Sequence, residues 1–174
     1  MGMARSSFRI FRRALPVLIA AWTSALAADS SHTVILVRHA ERAGGTGAEV
    51  GISKAGRCRA GALARVLADA GVTHIYVSEV ARTQQTAQPL ASKLRIKPEV
   101  IPAKDIDGLV AKLRTGRAVL VVGHSNTLPE IIRRIGGGTV KPIDDGEYDR
   151  LFVVTMTDPD RATTVTLHYA GCMQ

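Results

Sequence analysis

Aromatic residues are scarce in this chain, seven in 174. A core must therefore be built from Leu, Val, Ile and Ala. No basic stripe interleaved with aromatics exists, which argues against nucleic acid as a partner. The two cysteines, Cys58 and Cys172, are too few for a disulfide scaffold, and their spacing gives no metal-ligand signature. They can pair only if the fold brings their Cα atoms close. The N-terminal apolar run, Ala14 to about Ala21, falls short of the ~20 residues that a membrane span needs. Internal repeats and interdomain linkers are absent, and the length suits one domain with a real core.

The formal net charge is +8, but its distribution is uneven. Arg5, Arg9, Arg12 and Arg13 lie in an N-terminal stretch free of acids. The remainder holds 19 basic and 15 acidic residues, or +4. So mild a bias suits an anionic substrate. The N-terminus reads as a signal peptide, residues 1–28, ahead of a domain spanning 29–174. Met1 to Arg13 is the basic region, the apolar run follows, and Ala25-Leu26-Ala27 fits a small-x-small cleavage site. The expectation is an exported protein, periplasmic or secreted, with no stable membrane anchor. Arg12-Arg13 leaves the Sec and twin-arginine routes both open. Oligomeric state is not legible.

Strand and helix patterns then alternate. Thr33–Val37 is an apolar strand. Residues 42–51 hold four glycines and form a loop. Ser53 caps a helix over Lys54–Ala70, with Ala60, Leu63, Leu67 and Ala70 on one face and Gly71 at its end. Thr73–Val77 is a second strand. Ala81–Leu94 is a helix in which Pro89 predicts a kink or a late start. Glu99–Ile101 suits a short edge strand, and Asp105 caps a helix carrying Ile106, Leu109, Val110 and Leu113. Ala118–Val122 is a fully apolar strand. A helix over Thr127–Ile135 tolerates Pro129 in its first turn. After a polar loop to Asp149, Leu151–Met156 and Thr163–His168 read as two strands joined by a turn. The alternation implies an α/β domain with helices on both faces of its sheet, and such sheets bind ligands at the carboxyl ends of their strands.

The unusual polar residues fall at those ends. Arg38 and His39 close the first strand. A surface arginine and a satisfied core histidine would be the plainer account of such a pair. At the end of an apolar strand, however, a histidine is placed to accept a phosphoryl group, provided its other ring nitrogen is fixed by a hydrogen bond. The adjacent guanidinium offers a fork for phosphate oxygens. Arg82 follows the second strand in the first turn of a helix. A cation there opposes the helix dipole unless an anion lies between them. His124, in Gly123-His124-Ser125-Asn126-Thr127, follows the most apolar strand and suits a donor to a phosphoryl oxygen.

Three segments together resemble the histidine phosphatase superfamily, also called phosphoglycerate mutase-like. Arg38-His39-Ala40-Glu41 is similar to its first signature, Arg82-Thr83 with Gln85-Thr86-Ala87 to its second arginine motif, and Gly123-His124-Ser125 to its second histidine motif. The likeness runs from about Thr33 to Ile135. It implies a three-layer α/β/α fold around a mostly parallel mixed sheet. It makes His39 the nucleophile and Arg38, Arg82 and His124 the phosphate pocket. It requires neither cofactor nor metal. The family's usual carboxylate acid has no evident counterpart: Asp105 and Glu41 are the candidates, with helix capping and arginine orientation as their competing roles.

The resulting expectation is a metal-independent, acid-type histidine phosphatase. It would hydrolyse a phosphomonoester through a phosphohistidine at His39. Its partner would be a small phosphorylated substrate or a phosphorylated envelope glycan, the latter suggested by small exported relatives. Two other readings stay open: a protein phosphohistidine phosphatase, and a non-catalytic phosphate-binding module.

Overall fold

A computed structural model describes residues 31–171, apart from 115, 159 and 160. The signal peptide expected over residues 1–28 lies outside the described residues. The elements are β1 (His32–Arg38), α1 (Lys54–Val66), β2 (His74–Val77), α2 (Ala81–Leu94), β3 (Glu99–Val100), α3 (Ile106–Lys112), β4 (Ala118–Gly123), α4 (Leu128–Arg134), β5 (Arg150–Asp158) and β6 (Arg161–His168).

The six strands form one mixed sheet in the order β3-β2-β4-β1-β5-β6. β1 runs parallel to β4, and β2 runs parallel to both β4 and β3. β5 and β6 complete the sheet antiparallel. The expected α/β/α architecture is present, and its physical cause is visible in β1. Val34 and Leu36 join the core shared with Leu109, Leu128 and Ile132 of α3 and α4. Ile35 and Val37, pointing the other way, join Leu63, Ala87 and Leu90 of α1 and α2. A strand covered on both faces cannot alternate apolar with polar residues, so its sequence is continuously apolar. Each of the valine, leucine and isoleucine side chains among these contributes about 1.5–3 kcal/mol by burial.

Several element ends differ from the sequence reading by a residue or two, and that of α1 by more. α1 ends at Val66 rather than Ala70. The Leu67 N–H bonds both Leu63 O and Arg65 O, and Ala68 and Ala70 continue with bonds three residues back. That tightened exit precedes Gly71 at φ +67°. Pro89 delays nothing, because α2 begins at Ala81 and runs through the proline. Cys58 is disulfide-bonded. The chain's other cysteine, Cys172, lies outside the described residues. Among the described residues no helix is long and apolar enough to cross a membrane.

The topology sets the site. The chain leaves β1, reaches β2 beyond β4, and returns to lay β4 beside β1. The crevice at the carboxyl ends of β1 and β4 is thus a topological switch point. The pairing continues past the strand ends, since the His39 N–H donates to Gly123 O at 2.9 Å.

Candidate active site

A cavity of about 830 Å³ opens at this crevice. Arg38, His39, Arg82, His124, Arg42, Lys104 and Tyr148 are among its lining residues. The four residues singled out at strand ends therefore meet in one place. His39 and His124 approach edge-on, with ring centroids 5.4 Å apart.

His39 is held by main chain. Its Nδ1–H donates to the carbonyl of Ala40 at 2.8 Å. That bond fixes the tautomer and leaves the Nε2 lone pair free. Burial chiefly, with Arg82, His124 and Arg38 adding to it, lowers its pKa to about 4 against the opposing effect of the Ala40 carbonyl. His39 is therefore a neutral imidazole at neutral pH. Ala40 is anchored in turn, because its N–H donates to Thr86 Oγ1 at 2.9 Å and that hydroxyl donates to Arg82 O at 2.7 Å. One buried threonine thus ties the His39 backbone to the helix carrying Arg82.

His124 sits at the end of β4, where Gly123 lets the chain turn beneath Leu128. Its Nε2 lies 3.0 Å from Ser78 Oγ, which lies 2.9 Å from Thr83 Oγ1. Burial first, then Arg82, lowers the His124 pKa, and Glu79 opposes them. Arg82 stands in the first turn of α2, whose cap residue Val80 makes no side-chain capping bond. Burial, then the nearby Arg42 and Arg38 guanidiniums, lower its pKa.

Arg38 departs from the simple fork that the sequence suggested. It is buried, and its Nη1 donates to three carbonyls of one loop: Asp144 at 2.7 Å, and Asp145 and Glu147 at 3.0 Å. Tyr148 stacks on the guanidinium, with its ring centroid 4.2 Å from Cζ. Nη2 remains uncommitted among the described residues, while Nε is buried without a partner. Arg38 thus both lines the cavity and shapes its wall.

The two carboxylates proposed as acids lie elsewhere. Glu41 does not line the cavity and pairs with Arg59 at 2.7 Å. Asp105 caps α3, accepting from the Gly108 N–H at 2.9 Å, and does not line the main cavity. Each side chain is committed to the competing role that its sequence position already suggested. Glu79 Oε2 accepts from the Ala103 N–H at 2.8 Å. The carboxylate among the lining residues is the exposed Asp145. Sequence reasoning missed Tyr148, which lines the cavity with its ring 6.0 Å from that of His39. The available signal was a lone aromatic in a polar loop. Among the described residues no three His, Cys, Asp or Glu side chains gather as a metal site requires.

The arrangement offers an uncharged imidazole nitrogen ringed by cations and donors. It is suited to attack on an anionic, tetrahedral centre whose charge the surroundings balance. Comparison with known proteins bears on the fold. The family model of the histidine phosphatase superfamily (branch 1) matches residues 34–106. No curated protein matches. Among solved structures, a protein histidine phosphatase SixA complexed with tungstate is similar at 18% identity and TM-score 0.66, over 78% of this chain and 96% of that one. An alpha-ribazole phosphatase from Shigella flexneri is similar at 17% identity and TM-score 0.63, over 78% and 96%. A mycobacterial glucosyl-3-phosphoglycerate phosphatase is similar at 13% identity and TM-score 0.60, over 82% and 100%.

Proposed function

We propose that this member of the histidine phosphatase superfamily is a metal-independent phosphomonoesterase that forms a phosphohistidine on Nε2 of His39. The observation that carries the reading is the bond from His39 Nδ1–H to the Ala40 carbonyl, in a ring that stays neutral down to about pH 4. It presents one nucleophilic nitrogen to the cavity without a separate base. Phosphorylation at Nε2 leaves Nδ1–H in place, and the carbonyl stabilises the cation that results.

Arg38, Arg82 and His124 would hold the phosphoryl oxygens and balance the charge of the transition state. The low pKa of the nucleophile supports an acid-type enzyme, active where an ordinary histidine would be protonated. Export to the periplasm or outside the cell is part of the proposal, on the strength of the N-terminal pattern alone. The substrate would be a small phosphate ester, an envelope glycan phosphate among them.

A protein phosphohistidine is the second reading, favoured by the absence of Glu41 and Asp105 from the cavity lining. An imidazole leaves more readily than an alkoxide and asks less of an acid. The mature protein should hydrolyse p-nitrophenyl phosphate in the presence of EDTA, and His39→Ala should not. Equal rates for the two proteins would refute the nucleophile. Tight phosphate binding with no turnover would instead mark a binding module. Finding the uncleaved chain in the cytoplasm would remove the export proposal.

A further inference from the structure

An alkyl phosphate requires a proton for its leaving oxygen, and neither expected carboxylate lines the main cavity. We propose that the Tyr148 hydroxyl is that proton donor, and that its phenolate afterwards activates the hydrolytic water. The inference rests on the phosphatase reading above and names the acid–base group it lacks.

Four observations carry it. Tyr148 lines the same cavity as His39, Arg38, Arg82 and His124. Its ring lies against the Arg38 guanidinium and tilts 53° to the His39 ring at 6.0 Å. Its hydroxyl makes no hydrogen bond among the described residues, whereas Glu41, Glu79 and Asp105 are all committed to other partners. The loop that carries it is clamped. Arg38 takes the carbonyls of Asp144, Asp145 and Glu147, and Glu147 pairs with Arg150, which also donates to Lys141 O. The tyrosine is therefore a fixed side chain on a fixed wall. It also lies close enough to Arg82 to oppose, in small part, the lowering of that guanidinium's pKa.

The chemistry balances. In the first step the Nε2–P bond forms and the bond from phosphorus to the leaving oxygen breaks. The bonding pair goes to that oxygen, which takes the Tyr148 proton and departs as an alcohol. In the second step water forms a P–O bond and the P–Nε2 bond breaks, its pair returning to His39. The water proton passes to the phenolate, and hydrogen phosphate leaves. A phenol generally keeps its proton through neutral pH and so suits an alkoxide leaving group. Arg38 stacks its positive charge directly on the ring.

The test compares wild type, Tyr148→Phe and Asp145→Asn on p-nitrophenyl phosphate and on ethyl phosphate. The first leaving group departs without a proton and the second does not. Phenylalanine keeps the ring on Arg38, and equal melting temperatures would verify the fold. Tyr148→Phe should lower kcat/KM for ethyl phosphate by about 10²–10⁴-fold and change p-nitrophenyl phosphate hydrolysis by less than about threefold. Across aryl phosphates, its rates should depend more steeply on leaving-group pKa. Equal losses on both substrates would make Tyr148 merely structural and overturn the proposal. So would no loss, a selective loss in Asp145→Asn instead, or a wild type that cleaves only the aryl ester. Absence of wild-type activity on the aryl ester is a distinct result, which removes the phosphatase reading itself.

Discussion

Thr86→Val probes the join between His39, the proposed nucleophile, and Arg82. Thr86 is completely buried. Its Oγ1 accepts from Ala40 N–H at 2.9 Å and donates to Arg82 O at 2.7 Å. Valine has nearly the same shape, so packing is preserved and two hydrogen bonds are lost. The Ala40 N–H, in a fully buried residue, is then left without an acceptor. An orphaned buried donor costs about 1–3 kcal/mol, whereas the Arg82 carbonyl keeps its place in the helix ladder and adds little. The expected destabilisation is thus about 1–3 kcal/mol, read as a lower urea midpoint at unchanged m-value. A Tm lowered by about 2–4 °C per kcal/mol should accompany it. Activity should fall as well, because the Ala40 carbonyl that orients His39 sits on the same peptide segment. Thr86→Ser keeps the hydroxyl and loses one methyl, so it should cost about 1 kcal/mol and retain most of the activity. If Thr86→Val proved as stable and active as Thr86→Ser, the hydroxyl bridge would not be what holds the site.

His39 also predicts a pH dependence of stability and rate. Unfolded, it takes a proton near pH 6.5; folded, only near 4. The unfolded state therefore binds more protons between those values, and His39 should lower stability by up to about 3 kcal/mol from pH 6.5 to 4, a contribution that His39→Asn removes while that of His124 stays. The acid limb of kcat/KM should titrate near 4 by the same ionisation, and a limb near 6.5 would contradict the assigned environment. Gly56→Ala should destabilise the fold by about 2–4 kcal/mol in urea titrations, because a Cβ there would come within 2.3 Å of Glu41 O, a backbone atom with no room to yield. Asp105→Ala should cost about 1 kcal/mol as a lost helix cap and leave p-nitrophenyl phosphate turnover unchanged; a catalytic collapse would restore it as an acid.

Much of the fold was legible because two kinds of local pattern coincide. The apolar runs of β1 and β4 signal strands covered on both faces, and each ends in residues that no core would choose. Arg38, His39, Arg82 and His124 stood out by that contrast. Two roles stayed open where one residue type serves both. An aspartate before a helix is equally a cap or an acid, and Asp105 is a cap. A glutamate two residues after His39 is near it in sequence, yet Glu41 pairs with Arg59. Tyr148 had no periodic pattern to mark it.

The sequence by itself determined which segments become strands and helices, since burial periodicity and capping are local. It determined, too, that the polar residues would emerge at strand ends. Only the tertiary structure decided which of them share a cavity. That outcome depends on β4 returning beside β1, and on Arg38 capturing the carbonyls of a loop more than a hundred residues away. Such long-range hydrogen bonds leave no mark on the spacing of residues, because their geometry exists only once the chain has closed.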